Sequence, residues 1–156
     1  MKKPFLIALS VFVSSALIVS YLALARDRCP ESNSVAVEQY QSNKPSLSRQ
    51  SIVDTDQKAI ADRLVALWLD RFTASNADPG IRLEQYQTDS VQVGEWKGDR
   101  FVARVAFSVR PVKCSYDEWL TGNGEEAGDW IRRKLLFFNI AKEDTAYRVV
   151  EVGSSP

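Results

Sequence analysis

The chain has 156 residues, enough for one domain with its own core and a remainder of several dozen residues. Twenty Lys and Arg balance twenty Asp and Glu, so the formal net charge is zero, and no basic surplus points to nucleic acid. There is no His, which excludes Ser-His and Cys-His pairs and removes the commonest general base near neutral pH.

Lys2 and Lys3 precede FLIALSVFVSSALIVSYLAL, an uncharged run from Phe5 to Leu24. As a helix rising about 1.5 Å per residue it spans roughly 30 Å, the thickness of a bilayer's hydrocarbon core. Residues 1–25 therefore read as a transmembrane anchor or signal peptide, engaging the lipid bilayer through residues 5–24. The apolar stretch is longer than that of a secretory signal, which favours retention. Ala23-Leu24-Ala25 is a small-x-small tripeptide, so cleavage after Ala25 is the competing reading. The short basic tail orients the N-terminus inward. The expectation is a single-pass protein of the cell membrane with its C-terminal domain outside the cytoplasm, secreted if cleaved.

Residues 26–53 are rich in Ser, Asn and Gln, and their few apolar residues follow no period. Such a segment buries too little to offset its ordering entropy and predicts a flexible polar stalk. A short irregular arm packed on the domain is the alternative.

Residues 54–156 form the extracytoplasmic domain in this reading. Asp54 or Thr55 caps a helix whose stripe is Ile60, Leu64, Leu67, Trp68 and Phe72, and Asp78-Pro79-Gly80 ends it. Strands are expected over 90–96, 100–110, 130–141 and 147–152, with a further strand or short helix near 81–86. One helix followed by a four-stranded antiparallel sheet makes an α+β layer pair. In the third strand Leu135 and Phe137 are expected to face the helix, leaving Leu136, Phe138 and Ile140 on the outer face. Either the 112–130 segment covers that face through Trp119 and Trp130, or it docks a partner or a second copy.

Arg104, Arg110, Arg132, Lys134 and Arg148 fall on neighbouring strands as a candidate basic stripe, against the plainer reading of a solvated face balanced by acids. Asp117, Glu118, Glu125, Glu126 and Asp129 make an acidic, Gly-rich loop whose spacing matches no EF-hand. Cys29 and Cys114 are a possible disulfide in an oxidising compartment, with two free thiols as the other reading.

The element order over 54–156 resembles the cystatin-like and NTF2-like superfamily, and the anchor-stalk-domain layout is similar to small bacterial exported proteins and to single-span NTF2-like subunits of conjugation and secretion machines. Val91-Gln92-Val93-Gly94 is similar to the cystatin hairpin but lacks its Gln-x-Val-x-Gly spacing, so inhibition is not implied. NTF2-like enzymes line their cone with His and Asp, and here His is missing. The chain also lacks a P-loop, Gly-x-Gly-x-x-Gly and Cys-x-x-Cys. The expectation is a membrane-tethered binding or assembly module, not an enzyme, without cofactor and without nucleic acid. Its candidate partner-binding residues are Trp119, Trp130, Phe138, Arg132 and Lys134. An NTF2-like small-ligand binder or enzyme using the concave sheet face is the second hypothesis.

Overall fold

A computed structural model describes residue 29, residues 42–51 and residues 56–155. The expected membrane segment lies outside the described residues. Among the described residues no helix is long and apolar enough to cross a membrane.

The fold is α+β: a curled antiparallel sheet with a helix packed against it. The sheet has six strands, not the four expected. They are β1 (Ser46–Ser48), β2 (Leu83–Val93), β3 (Arg100–Pro111), β4 (Glu125–Ala127), β5 (Trp130–Lys142) and β6 (Ala146–Gly153). The order is β1-β6-β5-β3-β2, with β4 pairing β5 off this path. Strands β2, β3, β5 and β6 are the four the sequence predicts, and β2 absorbs the doubtful segment near 81–86. The two added strands are three residues long, and neither carries a pattern strong enough to announce itself.

Strand β1 lies within the segment expected to be a stalk. Its Leu47 pairs with Tyr147, and both side chains are buried. Arg49 N–H donates to Thr145 O at 2.9 Å, and Pro45 O accepts from Val149 N–H at 3.0 Å. The folded body thus takes in residues 42–51. One apolar residue between two serines suffices once a partner strand supplies the hydrogen bonds.

Helix α1 runs Gln57–Thr73, with Asp56 as N-cap, its carboxylate accepting from Ala59 N–H. The cap is therefore two residues or one residue later than Asp54 or Thr55. Two adjacent rows, Ile60-Leu64-Trp68-Phe72 and Ala61-Val65-Leu69, are buried. Leu67, expected on the stripe, is exposed at 38%. Tyr86 O–H donates to Asp70 Oδ1 at 2.6 Å and fastens the exposed side of α1 to β2.

The face assignment of β5 is the reverse of the expectation. Directly opposed residues of an antiparallel pair share a face. The register Ala103↔Phe138, Val105↔Leu136 and Phe101↔Ile140 therefore places Leu136, Phe138 and Ile140 with the core residues of β3. Phe138 is fully buried, its ring 5.3 Å from that of Trp68, and Leu135 and Phe137 face outward, half-buried. The cause is local. Phe107↔Lys134 is followed by Val109↔Ile131, so β5 carries one extra residue, a bulge where Arg133 takes φ 58°. The bulge shifts the alternation by one.

Candidate functional site

The helix-facing side of the sheet is filled. Trp68 meets Phe72 at 4.8 Å, Phe107 at 6.3 Å and Trp119 at 6.4 Å between ring centroids, all edge to face. Edge-to-face pairs bring the positive ring rim to the negative face and add to the stabilisation from burial.

Trp119 reaches this cluster from α2, a short helix over Tyr116–Leu120. Its indole N–H donates to Ile81 O at 2.8 Å, and it is 3% exposed. It plugs the core from the loop and does not cover the outer face. Lys134 enters the same region from β5 at 6% exposure. Its ammonium donates to Trp119 O at 2.5 Å, Asn123 O at 2.8 Å and Thr121 O at 3.2 Å. These are carbonyls at and just beyond the end of α2, where a cation is favoured. Burial pushes the Lys134 pKa down, and Glu118 works in the opposite direction. Asn123 completes the latch, its side chain donating to Leu135 O and accepting from Leu135 N–H, both at 2.8 Å, in imitation of a neighbouring strand.

Of the five candidate partner-binding residues, Trp119, Phe138 and Lys134 thus converge inside the body, and Trp130 and Arg132 stand elsewhere. Trp130 and Arg132 flank buried Ile131 on β5 and point to the outer face. Two guanidiniums approach the Trp130 ring, Arg110 at 6.0 Å and Arg132 at 5.7 Å from its centroid. Arg110 also sits 3.0 Å from Glu84, with its Nε out of line for a hydrogen bond.

The same outer face continues through half-buried Ala106 and Leu135, which oppose each other, and through Phe137, which opposes Arg104. Gly153 opposes Phe137 on the other side, so no β-carbon stands beside that ring. Phe137 and Leu135 are the functional candidates that sequence reasoning passed over. The signal was present as apolar residues on both faces of one strand, but the register that assigns the faces was not.

The expected basic stripe is broken up. Arg104 donates to Gln92 at 3.3 Å, Arg110 faces Glu84, Arg148 pairs with Glu143 at 3.2 Å, and Lys134 is buried. In the acidic loop Glu125 pairs with Arg133 at 3.1 Å. Among the described residues no group of three or more carboxylates and cysteines is arranged to hold a metal ion. Cys29 and Cys114 are both disulfide-bonded.

Comparison with protein families, with curated proteins and with solved structures returns no match.

Proposed function

We propose that this chain is a membrane-tethered extracytoplasmic binding module whose outer sheet face docks a protein partner. The observation that carries the reading is Trp130 beside Arg110 and Arg132 on the face that also presents Leu135 and Phe137. Trp, Arg and Phe are the residue types enriched in protein interfaces, and Trp and Arg dominate their energetics.

The apolar run of residues 5–24 supports the tether, with residues 1–25 as anchor and the folded body outside the cytoplasm. The cystatin-like or NTF2-like assignment belongs to this proposal, supported by one long helix lying against a curled antiparallel sheet. A ligand cone on the concave side, as in NTF2-like enzymes, competes with the aromatic filling of that side. The module reading therefore assigns no catalytic residue and no cofactor.

The test is site-specific photo-crosslinking of the full chain in its native membrane. A photoreactive residue at position 137 is expected to give one discrete adduct, lost when Trp130→Ala and Arg132→Glu are combined. Adducts from position 67 on the exposed side of α1, with none from 137, overturn the outer-face assignment.

A further inference from the structure

Strand β2 ends the sheet on the side away from β1, and among the described residues no strand pairs with its far edge. Two bonds at the ends of β3 fix which backbone groups face that edge. Gly94 N–H donates to Val102 O at 2.9 Å, and Val112 N–H donates to Arg82 O at 3.1 Å. The even-numbered residues of β3 therefore turn toward β2, and antiparallel alternation carries this through Arg104, Ala106, Ser108 and Arg110. Residues of β2 opposite the odd-numbered ones turn away. These include Val93, Val91, Thr88 and Tyr86, which lie opposite Ala103, Val105, Phe107 and Val109. Their N–H and C=O groups point along the open edge, and among the described residues no backbone bond from outside the ladder reaches them.

An open edge is a template for a further strand, and folded proteins guard it with Lys, Pro or a bulge. From Gln85 to Val93 there is no Lys, Arg or Pro. Gln85, Gln87, Thr88, Ser90 and Gln92 are exposed. The single charge in this stretch is Asp89, whose carboxylate accepts from the Ser108 hydroxyl at 2.8 Å. The guard that remains is the bulge at Asp89, where β2 runs one residue longer than β3. A regular strand laid on this edge falls out of step there. A strand with the same extra residue at the mirrored place stays in step on both sides. The outward residues form such a mirror, with Tyr86 and Thr88 before Asp89-Ser90 and Val91 and Val93 after it.

We infer that the edge of β2 pairs antiparallel with the same edge of a second copy of this chain. Tyr86 lies opposite the second copy's Val93, and Thr88 opposite its Val91, each pair exchanging both N–H···O bonds. Aromatic and β-branched residues are favourable cross-strand neighbours. Gln87 lies opposite Gln92, whose Oε1 already accepts from Arg104 at 3.3 Å, and Asp89 lies opposite Ser90. Between Gln85 and Val93 no like charges oppose each other. The pairing is its own inverse, so it closes as a dimer and does not grow into a fibre. It uses none of Trp130, Leu135 and Phe137 and leaves the outer face free.

The experiment mixes two variants of the full chain in detergent micelles, Gln87→Cys and Gln92→Cys, under mild oxidation. A disulfide needs the two backbones close together, and in this register position 87 meets position 92 and not itself. The mixture is expected to give about tenfold more disulfide-linked dimer than either variant alone. Sedimentation equilibrium then reads two double variants at these exposed positions. Gln87→Lys with Gln92→Lys opposes like charges and is expected to weaken dimerisation about tenfold, whereas Gln87→Lys with Gln92→Glu is expected to preserve it. A wild-type chain that stays monomeric at about 1 mM overturns the inference. A dimer that lacks the mixed crosslink is held elsewhere in the chain and overturns the edge pairing. Equal association of the two charge variants overturns it as well, and a crosslink from Gln92→Cys alone as strong as from the mixture overturns the register.

Discussion

The Lys134 ammonium on β5 donates to the main-chain carbonyl of Trp119 at 2.5 Å, joining the sheet to the loop that closes one end of the core. The same Nζ takes up Thr121 O and Asn123 O, so one cation holds three carbonyls of a segment with little regular structure of its own. Lys134→Met keeps the apolar stem and removes the donors. The Trp119 carbonyl is then left buried and those of Thr121 and Asn123 half-buried without this donor, and a loss of about 2–4 kcal/mol is expected in denaturant unfolding. A loss under about 0.5 kcal/mol, the range of neutral surface changes, shows that the latch carries no stability.

Trp119 and Phe137 separate core from outer face. Trp119→Ala empties a site against Phe72, Trp68 and Phe107 and is expected to cost about 3–5 kcal/mol. Phe137→Ser on the half-buried outer face is expected to cost less, about 1 kcal/mol, because its side chain is already partly solvated. Equal losses for the two contradict the face assignment.

Gly124 tests the turn beside the latch. Its φ is +138°, and a β-carbon there meets Ile131 Cγ2 at 2.8 Å. Gly124→Ala combines backbone strain with a clash against a buried side chain, and about 1–3 kcal/mol of destabilisation is expected from thermal unfolding.

Tyr86 sets an alkaline limit. Burial, then the hydrogen bond to Asp70 and its charge, raise the phenol from 10.0 to about 12. Between these values the unfolded chain has lost the Tyr86 proton while the folded chain keeps it, so the folded state binds more protons and stability falls as pH rises. The contribution is complete below pH 10 and is lost as pH passes about 12. Tyr86→Phe is expected to flatten this part of the stability–pH curve, and spectrophotometric titration of tyrosinate is expected to lose its latest-titrating component.

The two cysteines are the chain's only ones, and both are disulfide-bonded. Non-reducing peptide mapping is expected to recover one linked peptide containing Cys29 and Cys114. In the chain-entropy account a closed loop of this size stabilises by about 4–5 kcal/mol, so Cys114→Ser is expected to lower Tm markedly. Recovery of intermolecular dimers alone contradicts an intrachain bond.

Much of the architecture was legible because periodicity reports burial directly. The alternation of Phe101, Ala103, Val105, Phe107 and Val109 marks β3, and the rows through Ile60 and Trp68 mark α1. What escaped depends on contacts distant in sequence. Leu47 becomes a strand residue only beside Tyr147, and the outward turn of Phe137 depends on an extra residue at Arg133. Lys134 read as a surface cation because side-chain type outweighs position in sequence, whereas its burial follows from three carbonyls brought to it by a loop. On the outer face, Trp130 was legible as a residue type and Arg110 and Arg132 as members of one stripe, but the approach of both guanidiniums to the Trp130 ring was not.

Strand β1 closes one edge of the sheet over β6. Leu47 on β1 is matched with Tyr147 on β6, so segments near both ends of the described body are held in one ladder. A force applied at residue 42 is therefore resisted by β1 and, through Asn43, by the Trp68 carbonyl in α1.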